Sequence, residues 1–466
     1  MQLSEYTRLD ATALAALVAD GEVTADELTE TARAALQAVD AEINAVVEMY
    51  DDARVPGPSE TAAAFAGVPF LMKDFGAREA GRRQWMGSWA VDDVRATSES
   101  PLAQRFRESG LVTIGRSATC EFAVTATVQS GRFGPTRNPW DVSLSPGGSS
   151  GGAAAAVAAG VVPMAHATDS GGSIRIPAAC CGLVGLKPTR GAIPLDPAET
   201  APGDFHTEFV LTRSVRDAAR ALTAFGTGPG QRPAGRPYRI AVATRADWLP
   251  EPDPVVTAAT LHAARLCEGL GHTVGEAAPR IDWPQLFEAM KDLWAVGTAD
   301  LVGRWTDTAA AERPIDVEGL TWELVERARR LGTDDVDAAM TRIATATAAF
   351  TEFFSSYDIL LTPTLPAAPP PLAQFHPDMD LGTYYAGPVG LMEPAVAVFN
   401  ATGQPGLSIP ATLAGGRPVG VHLAAAAHRD ADLLALAAEL EAEIQWPHWT
   451  PSVHAGSPPQ HREQHP

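Results

Sequence analysis

Cysteine is scarce in this chain: its 466 residues include four, Cys120, Cys180, Cys181 and Cys267. That is too few for a disulfide framework, and the adjacent pair Cys180–Cys181 fits no zinc spacing, so all four read as reduced and mostly buried. Basic residues are outnumbered, 35 Lys and Arg against 56 Asp and Glu, giving a net charge of −21 and a pI near 4.9. Such a balance argues against nucleic-acid backbones and anionic membranes as partners. No apolar run reaches the length of a membrane span. The segment after Met1 is polar and acidic, unlike a secretory leader, so the expected location is cytoplasmic. Neither G-x-x-x-x-G-K-[ST] nor H-E-x-x-H occurs and no internal repeat is visible, so neither a metal nor a cofactor is expected. His166 and His428 read as structural.

What the chain does contain is glycine and serine in tight groups. Residues 145–178 read S-P-G-G-S-S-G-G-A-A-A-A-V-A-A-G-V-V-P-M-A-H-A-T-D-S-G-G-S-I-R-I-P-A. Two Gly-rich turns holding serine flank an apolar, helix-prone run, which a flexible linker would not carry. Glycine suits backbone that takes φ > 0 or approaches a ligand closely. Serine among glycines presents a hydroxyl beside free backbone N–H groups, which can supply a nucleophile and an oxyanion site together.

The surrounding pattern alternates helix and strand signals, which predicts an α/β fold with a sheet sandwiched between helices. Asp10 is a candidate N-cap for a helix over 12–19, and Thr24 with Glu27 has capping-box spacing ahead of a helix to about Val39. Residues 68–72, 111–114, 238–244, 358–362, 407–410 and 419–423 read as strands, residues 153–159 and 430–443 as helices, and residues 281–354 as amphipathic helix. The expected organisation is one domain over 1–450. It comprises a helical segment (1–60), a core (61–225), a variable region (240–400) and closing strands with a helix (400–446). The Gly/Pro-rich stretch 226–236 reads as a loop, and the polar tail 452–466 as disordered. Trp283, Trp294, Trp305 and Trp322 read as helix-packing residues.

A serine hydroxyl is a weak nucleophile until a neighbour takes its proton, and a neutral lysine can do so if burial lowers its pKa. Lys73, one of very few lysines, follows the apolar run 68–72 and is placed for burial. With it, the residues resemble the amidase signature family of serine hydrolases. The matching pieces are G-V-P-F-L-M-K-D (67–74), G-P-T-R-N-P-W-D (134–141), G-G-S-S-G-G (147–152), T-D-S-G-G-S-I-R-I-P-A (168–178) and C-G-L-V-G-L-K-P-T-R (181–190). D-I-L-L-T-P (358–363) and G-Q-P (403–405) complete the set. Each is weak alone; together, in this order, they are specific.

The resemblance implies a large mixed β-sheet between helices and a Ser–Ser–Lys catalytic set. Ser173 would be the nucleophile, Ser149 the bridging serine after a cis peptide bond, and Lys73 the general base. It also implies an oxyanion hole from the backbone N–H groups of Ser170, Gly171, Gly172 and Ser173, with Ser150, Asp169 and Arg175 as supports. The expected partner is a small-molecule amide, with a homodimer left open. The pattern looks closest to bacterial amidases acting on aryl, aliphatic or oligoamide substrates, including 6-aminohexanoate cyclic dimer hydrolases and aryl acylamidases. The apolar, aromatic segments 283–305 and 375–399, with Trp322, would then favour a hydrophobic substrate.

Alternatives stay open. The family also supplies the amidase subunit of a tRNA-dependent amidotransferase, and the same site could cleave esters or carbamates or transfer acyl groups. Residues 115–122, G-R-S-A-T-C-E-F, depart at Arg116, Ser117 and Ala118 from the G-K-T-N usual in the family, which bears on substrate preference. Finally, Gly147–Gly151 satisfies G-x-S-x-G, the nucleophile elbow of α/β-hydrolases, which would call for a later Asp and one of His206, His262, His272 or His422.

Overall fold

A computed structural model describes residues 1–54, 63–92, 95–196, 205–226, 237–310 and 312–457. The strands are β1 (Val46–Met49), β2 (Pro69–Lys73), β3 (Val112–Ser117), β4 (Gln129–Ser130), β5 (Gly134–Pro135), β6 (Met164–Asp169), β7 (Val184–Lys187), β8 (Thr207–Thr212), β9 (Arg239–Val242), β10 (Thr273–Glu276), β11 (Ile359–Pro363), β12 (Gly406–Ala414) and β13 (Arg417–Ala425). Eleven form one mixed sheet in the order β1-β3-β2-β6-β8-β7-β12-β13-β11-β9-β10, and β4 pairs with β5. The fold is the α/β arrangement expected.

Local signals act where they were read. Asp10 accepts the Ala13 N–H and starts the helix Ala11–Ala19, and Thr24 and Glu27 close a capping box on Ala25–Ile43. The Gly415–Gly416 turn, with both φ positive, joins β12 to β13. The run read as helical over 281–354 divides into Trp283–Val302, Gly319–Ala328 and Thr333–Ser356.

Seven strands, β1, β4, β5, β6, β7, β8 and β10, were not read from the sequence, and β6 shows why. The Ala/Val run looks continuous, yet the helix Gly151–Ala158 stops and β6 begins at Met164. Gly160 turns the chain at φ +79°, and Pro163, which cannot donate to a helix, precedes the strand. Residues 452–457, read as part of the tail, are anchored: the Val453 N–H donates to the Pro139 carbonyl (3.0 Å) and the Ala455 N–H to that of Ala159 (2.9 Å). Residues 458–466, like most of the loop 226–236, lie outside the described residues.

This topology positions the site. β2 and β6 run parallel, with Phe70 beside Met164, so their C-terminal ends open on the same edge. The helix Gly151–Ala158, which leads into β6, packs against both strands and brings its N-terminus to that edge, where α/β sheets bind ligands. It is buried all round because its side chains are only Gly, Ala and Val. Larger residues could not fit: a Cβ on Gly152 would lie 2.4 Å from the Ala118 nitrogen.

Candidate active site

Lys73 ends β2 wholly buried. Its Nζ donates to Ser149 Oγ and to Thr168 Oγ1, each at 2.7 Å. Burial, the largest influence, lowers the ammonium pKa to about 7 against the opposing field of Glu208, Asp169 and Asp74. Ser149 follows a cis Gly148–Ser149 peptide bond, and its carbonyl accepts from Thr119 Oγ1 at 2.9 Å. Gly148 is fixed by close approach: a Cβ there would sit 2.5–2.7 Å from three backbone atoms of Thr127. Ser150 Oγ donates to the Thr168 carbonyl and accepts the Thr168 N–H, both at 3.2 Å, tying the turn to β6.

The second glycine turn follows β6. Asp169 and Arg175 are both fully buried and pair through two contacts, Nη2 to Oδ1 at 2.9 Å and Nε to Oδ2 at 3.0 Å. Asn400 Nδ2 donates to Asp169 Oδ1 at 2.8 Å and Ile174 N–H to Oδ2 at 3.1 Å. Burial alone would raise the Asp169 carboxyl, but the Arg175 charge and these donors hold it well below the usual range.

The loop amides divide in a way the sequence did not foretell. The Gly172 N–H, expected to join the oxyanion donors, donates instead to Asp169 Oδ1 at 2.8 Å. Gly172 has φ +120°, and the turn that this permits points its amide at the carboxylate. The amides of Ser170, Gly171 and Ser173 donate to no protein acceptor among the described residues. Ser173 is half-buried and shares a cavity wall with Ser149.

Several contributors carry no motif of their own. His166 Nδ1 accepts the Lys73 N–H at 3.3 Å while its Nε2 bonds Glu208 at 2.8 Å. Glu208 also bonds His206 Nε2 at 2.9 Å, and His206 Nδ1 meets Ser170 Oγ at 3.1 Å. The Lys73 N–H makes His166 Nδ1 an acceptor, so its Nε2 donates to Glu208. Burial, the largest single influence, would raise the Glu208 carboxyl, but the hydrogen bonds and charges of His166 and His206 together hold it well below the usual range. Thr168 lay inside a quoted motif, and Asn400 just before G-Q-P, so proximity to those motifs was the only signal for either.

The elbow alternative finds no support in the contacts. The Ser149 hydroxyl bonds Lys73, and none of the four candidate histidines bonds Ser149 or Ser150 among the described residues. His272 pairs with Glu439, and His422 lies buried against Arg175.

A cavity of about 680 Å³ opens over these groups. Its far wall comes from the helix Trp283–Val302 and the residues after it, through Leu293, Trp294 and Trp305, and from Tyr385 and Glu393. Trp294, read as a packing residue, covers the glycine turn: its Nε1 donates to the Ser170 carbonyl at 3.1 Å, and a Cβ on Gly171 would lie 3.0 Å from its ring. Of the segments expected to form the pocket, Trp283 stacks on Phe287, Trp322 packs with Phe122 and Val302, and Phe399 packs on Phe350; Trp283, Trp322 and Phe399 do not line the cavity. Arg116, the departure in residues 115–122, is 1% exposed on the cavity wall and donates to the Lys73 carbonyl at 3.0 Å. Among the described residues, no group of three His, Cys, Asp or Glu side chains is arranged to hold a metal ion, and no helix is long and apolar enough to cross a membrane.

Comparison with known proteins agrees on one family. The family model Amidase matches residues 25–434. A 6-aminohexanoate-cyclic-dimer hydrolase of Paenarthrobacter ureafaciens is 35% identical, over 94% of this chain and 95% of that protein. The solved structure of a 6-aminohexanoate cyclic dimer hydrolase complexed with substrate superposes with a TM-score of 0.87 at 32% identity, covering 96% of this chain and 99% of the other. A bacterial aryl acylamidase belonging to the amidase signature enzymes superposes with a TM-score of 0.84 at 26% identity, covering 97% and 99%.

Proposed function

This chain belongs to the amidase family of amide-bond hydrolases, and we propose that it works through an acyl-enzyme on Ser173. The observation that carries the reading is Lys73: a buried amine with a pKa lowered to about 7, 2.7 Å from Ser149 Oγ, beneath a cavity that also presents Ser173. A neutral Lys73 takes the Ser149 proton as Ser149 takes that of Ser173. Ser173 Oγ then bonds to the substrate carbonyl carbon. The free amides of Ser170, Gly171 and Ser173 are the candidate donors to the oxyanion. As the C–N bond breaks, the proton returns through Ser149 to the leaving amine. Water then adds to the acyl carbon by the same relay, and the C–O bond to Ser173 breaks to release the acid.

The substrate class we infer is a hydrophobic aryl, alkyl or oligoamide compound. Its support is the wall of Leu293, Trp294, Trp305 and Tyr385, with the named activities of the relatives. A cytoplasmic setting is part of the same proposal, supported by four unpaired cysteines. The test is to label the protein with a fluorophosphonate and map the modified peptide by mass spectrometry. Label on Ser173 that is lost in Lys73→Ala is the expected result. Label on Ser149 or Ser150, or none at all, would overturn the scheme, and the last would favour a partner-dependent amidase subunit.

A further inference from the structure

We propose that Glu393 recognises an ammonium group on the substrate, making aminoacyl-type amides, with a cationic amine in the acyl chain, the preferred class. The inference rests on the Ser173 reading above and narrows its substrate.

Glu393 stands immediately before the helix Pro394–Thr402. That helix clamps the Ser170–Ser173 turn. The Val396 carbonyl accepts from Arg175 Nη1 at 2.7 Å, its Cγ2 lies 2.4 Å from where a Cβ on Gly172 would be, and Asn400 holds Asp169. Three residues from Val396, Glu393 is about 4.5 Å further along the axis. A second anchor comes from the other glycine turn. Tyr384 Oη donates to Glu393 Oε1 at 2.5 Å and accepts the Ala126 N–H at 2.9 Å. Ala126 precedes Thr127, whose backbone lies against Gly148. The carboxyl is therefore held from both sides of the Ser149 and Ser173 turns.

One of its oxygens is committed to Tyr384; Oε2 makes no hydrogen bond among the described residues. Glu393 is 7% exposed and lines the cavity. The charged group facing it from the helix Trp283–Val302 is Lys291, which pairs with Glu288 and lies over the Phe287 and Tyr385 rings. From the helix Leu381–Ala386 come the hydroxyls of Tyr384 and Tyr385. No ion pair closes on Glu393 among the described residues, and burial pushes its carboxyl up to about 8. A buried carboxylate without a cation is costly, and a ligand that supplies one offsets that cost. A neutral alkyl group would leave the Glu393 carboxyl protonated, whereas an ammonium group beside it favours its ionisation and pairs with the carboxylate.

The experiment compares aminoalkanoyl 4-nitroanilides of increasing chain length with twins bearing methyl in place of the ammonium group, using the full chain at pH 7. We expect at least one length at which kcat/KM for the amine exceeds that for its twin about tenfold. In Glu393→Gln, which keeps the acceptor for Tyr384, that ratio should fall about tenfold, through KM. A ratio of one or less at every length in the native protein overturns the proposal with no variant needed, as does a ratio unchanged in a folded Glu393→Gln. Fluorophosphonate labelling separates the two readings. Label on Ser173 with no preference for the amine overturns this inference alone, whereas absence of label overturns the hydrolase scheme beneath it.

Discussion

The floor of the cavity and its far wall are built from opposite kinds of residue. The floor is glycine, serine and alanine: turns 147–152 and 170–173, and a helix whose every residue is buried. The wall is large and partly aromatic, with Leu293, Trp294, Trp305 and Tyr385. On the floor, backbone atoms approach where one added carbon would collide, so position is set by the main chain. On the wall, position is set by side-chain packing, which tolerates exchange. The floor should therefore govern rate and the wall affinity, and that division can be tested from its largest effect downward.

Ser173→Ala should lower kcat at least about ten-thousand-fold. Because Ser173 is half-buried, Tm should move little; residual turnover above that level would place the nucleophile elsewhere.

Lys73→Met should cost about a thousand-fold in kcat/KM. With the native lysine, kcat/KM should rise about tenfold per pH unit below 7 and level off above it, since the neutral amine is the active form and its pKa is about 7. Lys187 is the control within the same fold. It is one of only three lysines in the chain, equally buried and also lowered to about 7, first by burial and then by Arg175. Its Nζ, however, donates to the Pro188 carbonyl and to no serine among the described residues. Lys187→Met should keep the acidic limb that Lys73→Met abolishes; loss of the limb in both would make it a property of the fold's buried charge as a whole.

Gly148→Ala should follow, because the Thr127 backbone 2.5–2.7 Å away cannot rotate aside. We expect about 2 kcal/mol of destabilisation in denaturant melts and about a hundred-fold loss in kcat.

The wall gives the smallest effect. Trp294→Phe removes the 3.1 Å hydrogen bond to the Ser170 carbonyl but keeps a ring over Gly171. It should raise KM about threefold to tenfold with little change in kcat. A fall in kcat above a hundred-fold would show that Trp294 belongs to the floor, and the comparison would fail there.

The same contrast explains what could be read before folding. Lys73, Ser149 and Ser173 sit in runs whose small residues have few uses other than tight turns, so a linear pattern marks them. Thr168, His166, Glu208 and Asn400 are ordinary residues of strands and a helix. Their importance arises because β6, β8 and the helix Pro394–Thr402 converge around Lys73 and Asp169. The direction of the Gly172 amide depended on a backbone angle that no residue pattern encodes. Of the four tryptophans read as packing residues, Trp283 and Trp322 do pack but Trp294 and Trp305 line the cavity, because a periodic aromatic marks a buried face but does not say whether core or cavity lies beneath it. β6 was hidden because an Ala/Val run suits a buried strand and a buried helix equally.

By itself, the sequence determined the α/β alternation, the caps of the first helices, and the small-residue runs and apolar strand in which Ser149, Ser173 and Lys73 lie. Each of these depends on neighbours within a few positions along the chain. Tertiary structure alone decided the order of the eleven strands, the lowered pKa of Lys73, the commitment of the Gly172 amide and the face that Glu393 presents. Those are properties of burial and of contacts between residues far apart in the chain, such as Ala126 and Tyr384, 258 positions apart. Desolvation and hydrogen-bond geometry exist only once such segments have met.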